Sequence, residues 1–174
     1  MFFEDTIAEM GKFMDSGGMV LWAIVVLLFL MWTLIFERMW YLRSIVGVDV
    51  NRALTSWSER SERKSKHAHQ VREKLISEVS IEIDTNMMMI KTLVAVAPLF
   101  GLLGTVTGMI TVFDVMAFTG GGDAKAMAGG VSQATIPTMS GMVAALSGVF
   151  GMTYIERVAE REKHLLEDHL ILDH

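Results

Sequence analysis

Three long stretches of this chain carry no charge, and the chemistry they could do rests on hydroxyls and a single carboxamide. Thr105, Thr107 and Thr111 fall in the second stretch; Gln133, Thr135, Thr138, Ser140 and Ser147 fall in the third. A threonine hydroxyl can donate and accept at once. It can hold water or hydrogen-bond an incoming acid, but it does not titrate near neutral pH. No Asp, Glu, His, Lys or Arg lies within the three stretches. An ionisable side chain is the usual carrier in an intramembrane proton relay. Alone, the chain should not pump protons; it could line a path whose titratable group comes from another chain. No His or Lys base accompanies a serine in these stretches, and no aspartate pair lies there, which argues against an intramembrane protease. All five His lie outside them. His67 and His69 are spaced as a weak metal pair, but solvated loop histidines are the simpler reading. Zero Cys excludes a disulfide scaffold, a thiolate metal site and a cysteine nucleophile. No enzyme activity, metal or cofactor is expected, and a net charge of -5 gives no footprint for nucleic acid.

These groups need long apolar elements to carry them. Ser16 to Phe36 is 21 residues between Asp15 and Glu37; Thr92 to Phe113 is 22 between Lys91 and Asp114; Ala126 to Ile155 is 30 between Lys125 and Glu156. A helix needs roughly 20 apolar residues to cross the hydrocarbon core. The expected fold is an all-α membrane protein with three transmembrane helices, 19–36, 92–113 and 131–155. Lys and Arg set the direction. The first segment holds one (Lys12), the loop 37–91 holds ten, the segment 114–125 holds one (Lys125), and the tail 156–174 holds three. The amino-terminal segment 1–18 is therefore expected outside, the loop 37–91 inside, the turn region 114–130 outside and the tail 156–174 inside. Trp40, Tyr41 and Tyr154 would form an inner interfacial belt. The acidic start lacks the basic region of a cleavable signal peptide, so the first span is expected to be retained. Inside, Val71, Leu75, Val79 and Ile83 recur every four residues, which predicts a helix running unbroken into the second span. Val158, Leu165, Leu166, His169 and Leu170 predict a helical extension of the third span. Gly120-Gly121-Gly122-Asp123 predicts a turn.

The spans differ in kind. The first is bulky and apolar on all sides, as a lipid-facing helix is. The second carries Gly101, Gly104 and Gly108; the third carries Gly141, Ala145 and Gly148. Small residues let helix backbones approach closely in lipid. Three helices cannot bury this many small and polar positions alone, so an oligomer with the first span outside and the other two inside is the economical arrangement. Both prolines, Pro98 and Pro137, fall within spans, and each removes a helix hydrogen bond and introduces a kink. Pro137 frees the carbonyl of Gln133, which is either a wetted polar point or an ordinary kink.

The run Ala97-Pro98-Leu99-Phe100-Gly101-Leu102-Leu103-Gly104-Thr105-Val106-Thr107-Gly108-Met109-Ile110 resembles the second-span signature of the MotA/TolQ/ExbB proton-channel family. Gly130 to Ala145, containing Gln133, Pro137, Thr138 and Gly141, resembles its third-span signature. The size and the 55-residue inner loop resemble ExbB more than TolQ, and the four-span MotA type fits poorly. The resemblance implies a pentameric subunit of the bacterial inner membrane, with a periplasmic amino terminus and a cytoplasmic carboxyl terminus. It implies an ExbD-like single-span partner within the pore that brings the missing aspartate, and a TonB-like protein that passes on the work. By the same resemblance Thr105 and Thr138 are pore-facing threonines, and Gln133 stands where ExbB chains often have glutamate. Ser147 stands where many have proline. A TolQ-like role in envelope maintenance and a non-conducting scaffold are the alternatives.

Overall fold

The computed structural model describes residues 2–58, 66–120 and 123–169. Arg60, Arg63 and Lys64 of the basic loop, Gly121 and Gly122 of the expected turn, and Leu170 of the tail lie outside the described residues. Five helices follow one another: α1 Phe2–Ser44, α2 Val46–Ser58, α3 Lys66–Asp84, α4 Met87–Thr119 and α5 Ala124–His169. Three stretches, carried by α1, α4 and α5, are long and apolar enough to cross a membrane. Each helix extends well beyond its charge-free run, because the hydrophobic run sets where lipid contact ends and not where helical hydrogen bonding ends.

The chain divides into two compact units. The first joins the residues up to Trp32 with Thr92–Val149. Its core is built from Ile24 and Leu27 of α1, Ala97 of α4 and Ala144 of α5, with Val20, Leu93, Phe100 and Ala145 packed around them. Leu21, Ile24 and Met31 are buried, whereas Met19, Trp22, Phe29 and Leu30 of the same helix are exposed. The apolar-on-all-sides α1 therefore keeps one face for protein and leaves the other to its surroundings. Its continuity is interrupted at Gly18, where φ is 64° and ψ is -164°. That backbone favours glycine. Pro98 and Pro137, by contrast, lie inside α4 and α5, which continue through them. Between α4 and α5 the link is short. Gly120 takes φ 62°, and Asp123 caps α5 by accepting from the Ala126 amide at 3.0 Å.

The second unit joins Thr33–Lys91 with the chain from Phe150 onward. Ile35, Leu42, Val46, Trp57, Ala68, Val79, Ile83, Ile90, Ile155, Ala159 and Leu166 are buried in it. The expected stripe on α3 thus supplies core residues at Val79 and Ile83. The unbroken passage from α3 into α4 is corrected: α3 ends at Asp84, and Thr85 and Asn86 form a turn before Met87. Asn86 has φ 62°, a left-handed backbone that asparagine tolerates better than most residues. Arg38 secures the break from α1. It is 2% exposed and donates to the Thr85 carbonyl at 2.5 Å and the Glu82 carbonyl at 2.9 Å, with its guanidinium 4.6 Å from the Tyr41 ring centroid. Where α3 stops, the Glu82 carbonyl keeps only a long backbone bond, from the Thr85 amide at 3.4 Å, and the helix end favours a cation.

On the tail the buried face is also corrected. It runs through Ile155, Ala159 and Leu166, while Leu165 and His169 are exposed. Helix ends here are tied by charge: Lys163 to Asp84 at 2.6 Å, Lys91 to Glu156 at 2.6 Å, and Arg72 to the Glu167 carbonyl at 3.1 Å.

Candidate functional site: a hydroxyl pair between two membrane helices

Gly101, Gly104 and Gly108 lie on one line of α4, spaced three and four residues apart. A Cβ at Gly101 would come within 3.0 Å of the Thr138 Cα, and one at Gly108 within 2.5 Å of the Ala134 Cα. One at Gly104 would collide with the Pro137 ring. From α5, a Cβ at Gly141 would lie 2.7 Å from the Ala97 carbonyl oxygen. The two helices touch backbone to backbone here, and only the missing side chains permit it. Gly148 is different: its space is filled by Met31 and Val94.

This approach brings Thr105 and Thr138 together. Their Oγ1 atoms share a short hydrogen bond in which either can be the donor. Thr138 Oγ1 can also donate to the Gly101 carbonyl at 2.9 Å or to Ala134 at 3.3 Å, and Thr105 Oγ1 to Ala134 at 3.4 Å. Two hydroxyls have two protons. Two orders therefore satisfy the pair. In one, Thr105 donates to Thr138 and Thr138 to the Gly101 carbonyl. In the other, Thr138 donates to Thr105 and Thr105 to the Ala134 carbonyl. Either order leaves acceptor lone pairs available. Both threonines are half-buried, and the positions flanking them, Leu102 and Val106 on α4 and Met142 on α5, are exposed and apolar. The pair is a polar spot flanked by apolar side chains.

Gln133 has other company. Its Nε2 lies 2.8 Å from where a Cβ of Gly18 would be, beside the break in α1, and it shares a cleft with Val20, Phe100 and Thr107. Two serines are turned inward on their own helix: Ser140 donates to the Ile136 carbonyl and Ser147 to that of Ala144. Ser147 also accepts from the Trp32 indole at 3.4 Å, a contact that no local pattern announces. Among the described residues, no buried side-chain nitrogen or oxygen lacks a partner. No three His, Asp or Glu side chains among them converge as a metal site.

Known proteins give this geometry a context. Residues 43–168 match the family model described as the MotA/TolQ/ExbB proton channel family. Over 83 residues the chain is 32% identical to a biopolymer transport protein ExbB of Xanthomonas campestris, covering 48% of this chain and 33% of that protein. It is 34% identical over 71 residues to the ExbB of Helicobacter pylori, covering 41% and 49%. An ExbB-like 1 protein of Synechocystis is 44% identical over 61 residues, covering 33% and 24%. The matched segments thus span a quarter to a half of these relatives' lengths.

Proposed function

The chain belongs to the MotA/TolQ/ExbB proton channel family, and on that premise we propose that it is an ExbB-like subunit of a proton-driven motor in a bacterial inner membrane. The observation that carries the reading is the Thr105–Thr138 pair, a hydrogen-bonding spot on spans without a titratable group. In this reading five copies enclose an ExbD-like single-span partner, whose aspartate takes up and releases the proton. In either order the threonines offer a protonated carboxyl an acceptor; to donate to the carboxylate, Thr138 gives up the Gly101 carbonyl or Thr105 that of Ala134. Neither presents a charge that would hold the proton. One proton falling through 100 mV releases about 2.3 kcal/mol. That matches a few net hydrogen bonds, enough to bias a step of the partner. The work would then reach outer-membrane transport through a TonB-like protein. Orientation follows the basic inner loop, with a periplasmic amino terminus and a cytoplasmic tail.

A second reading has its own support. Because both hydroxyls are already satisfied within the chain, they can serve as cross-helix glue in a scaffold that conducts nothing. Proton flux into liposomes separates the two. With the partner present, the motor reading expects flux that falls when Thr105 is replaced by Val. A complex that assembles but never conducts would leave only the scaffold.

A further inference from the structure

Arg43 near the end of α1 and Arg161 on the extension of α5 meet at a cleft of about 190 Å³ within the second unit. Tyr154 shares its mouth, and Leu42, Ile155 and Val158 line its apolar interior. Leu42 and Ile155 are buried, whereas Arg43, Arg161 and Tyr154 are exposed. Among the described residues neither guanidinium has an ion pair or hydrogen bond, and the Tyr154 hydroxyl has no partner. No carboxylate lines the cleft. Two free guanidiniums over an apolar floor are complementary to an anion that carries an apolar body.

Depth narrows the occupant. Arg43 lies seven residues beyond Phe36 and Arg161 six beyond Ile155, the last residues of their charge-free runs. At about 1.5 Å per residue, both sit roughly 9–11 Å along their helices from the hydrocarbon edge. That is just beyond the polar headgroup layer, which is about 5–7 Å deep, and arginine side chains reach back into it. Trp40 and Tyr41 mark the same level on α1. We propose that this cleft binds the phosphate of an anionic phospholipid, with Arg43 and Arg161 clasping the headgroup, Tyr154 donating to it, and the first acyl carbons descending past Val158 toward Ile155 at the hydrocarbon edge. Basic pockets between membrane helices are suited to such headgroups. The site is independent of the proton path, since it uses neither Thr105 nor Thr138.

Native mass spectrometry of the full chain, extracted in its native assembly, tests this with phosphatidylglycerol and phosphatidylcholine of matched acyl chains. The expected result is about tenfold greater retention of phosphatidylglycerol, equivalent to about 1.4 kcal/mol. Arg43→Gln and Arg161→Gln should each reduce that preference at least about fivefold, whereas Lys66→Gln, an equal loss of charge on exposed α3, should leave it intact. Arg43→Lys and Arg161→Lys should retain part of it, because charge survives but the two-pronged geometry does not; they keep the test decisive if a Gln variant misfolds. Equal retention of the two lipids would overturn the proposal. So would an equal effect of Lys66→Gln, displacement by inorganic phosphate alone, or cross-linking that shows a second protein chain filling the cleft.

Discussion

Thr105 and Thr138 are chemically modest, and their value lies in being reversible. A hydroxyl pair with a carbonyl at each end can run in either direction without stranding a proton or a lone pair. Thr105→Val keeps the shape and removes one end. Thr138 still has the Gly101 carbonyl, so the oligomer should retain its mass while proton flux in liposomes drops about tenfold, the rate equivalent of one hydrogen bond. If the assembly falls apart in that variant, the hydroxyl acts in packing. Gly104 poses the opposite test. Its missing Cβ is occupied by the Pro137 ring, so Gly104→Ala should lower unfolding stability by about 1–3 kcal/mol through overpacking, and Gly104→Leu should prevent assembly. A Leu variant with normal thermal unfolding and oligomer mass would refute the close-approach argument. The threonines and glycines were legible in the sequence because their spacing is regular within one helix. The direction of Gln133 was not. It depends on Gly18, more than a hundred positions away, whose left-handed backbone lets α1 pass beside the carboxamide.

The break between α3 and α4 is the least foreseeable element boundary. The apolar stripe continues through Val79, Ile83, Met87 and Ile90, so periodicity alone argues for a single helix. The break falls at the left-handed Asn86, and a cation from α1 secures it by taking the Glu82 carbonyl of α3 and the Thr85 carbonyl of the turn. Arg38→Gln should expose those carbonyls at a cost of about 1–3 kcal/mol. Amide exchange should quicken at the end of α3 and the start of α4, and unchanged protection there would contradict the cap. Nearby, Lys91 has its pKa raised, first by its hydrogen bond to Glu156 and then by that carboxylate's charge. A raised lysine pKa stabilises the fold at pH values below the ordinary lysine range and ceases to do so as pH climbs through the raised value. The stability difference between the wild type and Lys91→Met should therefore hold at pH values below the ordinary lysine range and shrink as pH rises through and beyond it. Both ends of this pair are solvent-accessible, so the difference should be small and reduced by salt.

For the whole molecule, the unsatisfied quantity is apolar surface. Phe29, Leu102, Val106, Met142, Val143 and Phe150 are all exposed, on three different helices. Lipid can cover one such surface, and copies of the chain another. The expected mass of the detergent-extracted complex is five subunits, with a single-span partner chain retained inside; a stable monomer would remove the enclosed pore from the proposal. Three spans and the family were readable from charge-free runs and two signatures, because lipid imposes length and composition on a helix directly. Assembly and partner lie outside a single chain's contacts and rest on experiment. The buried Arg38 carries one more consequence. A guanidinium locked onto two peptide oxygens and stacked on Tyr41 gives α1 a single azimuth: rolling the helix by a third of a turn would strip a buried cation of its carbonyl partners. The second unit, which this contact braces, should therefore move as one body in any working cycle.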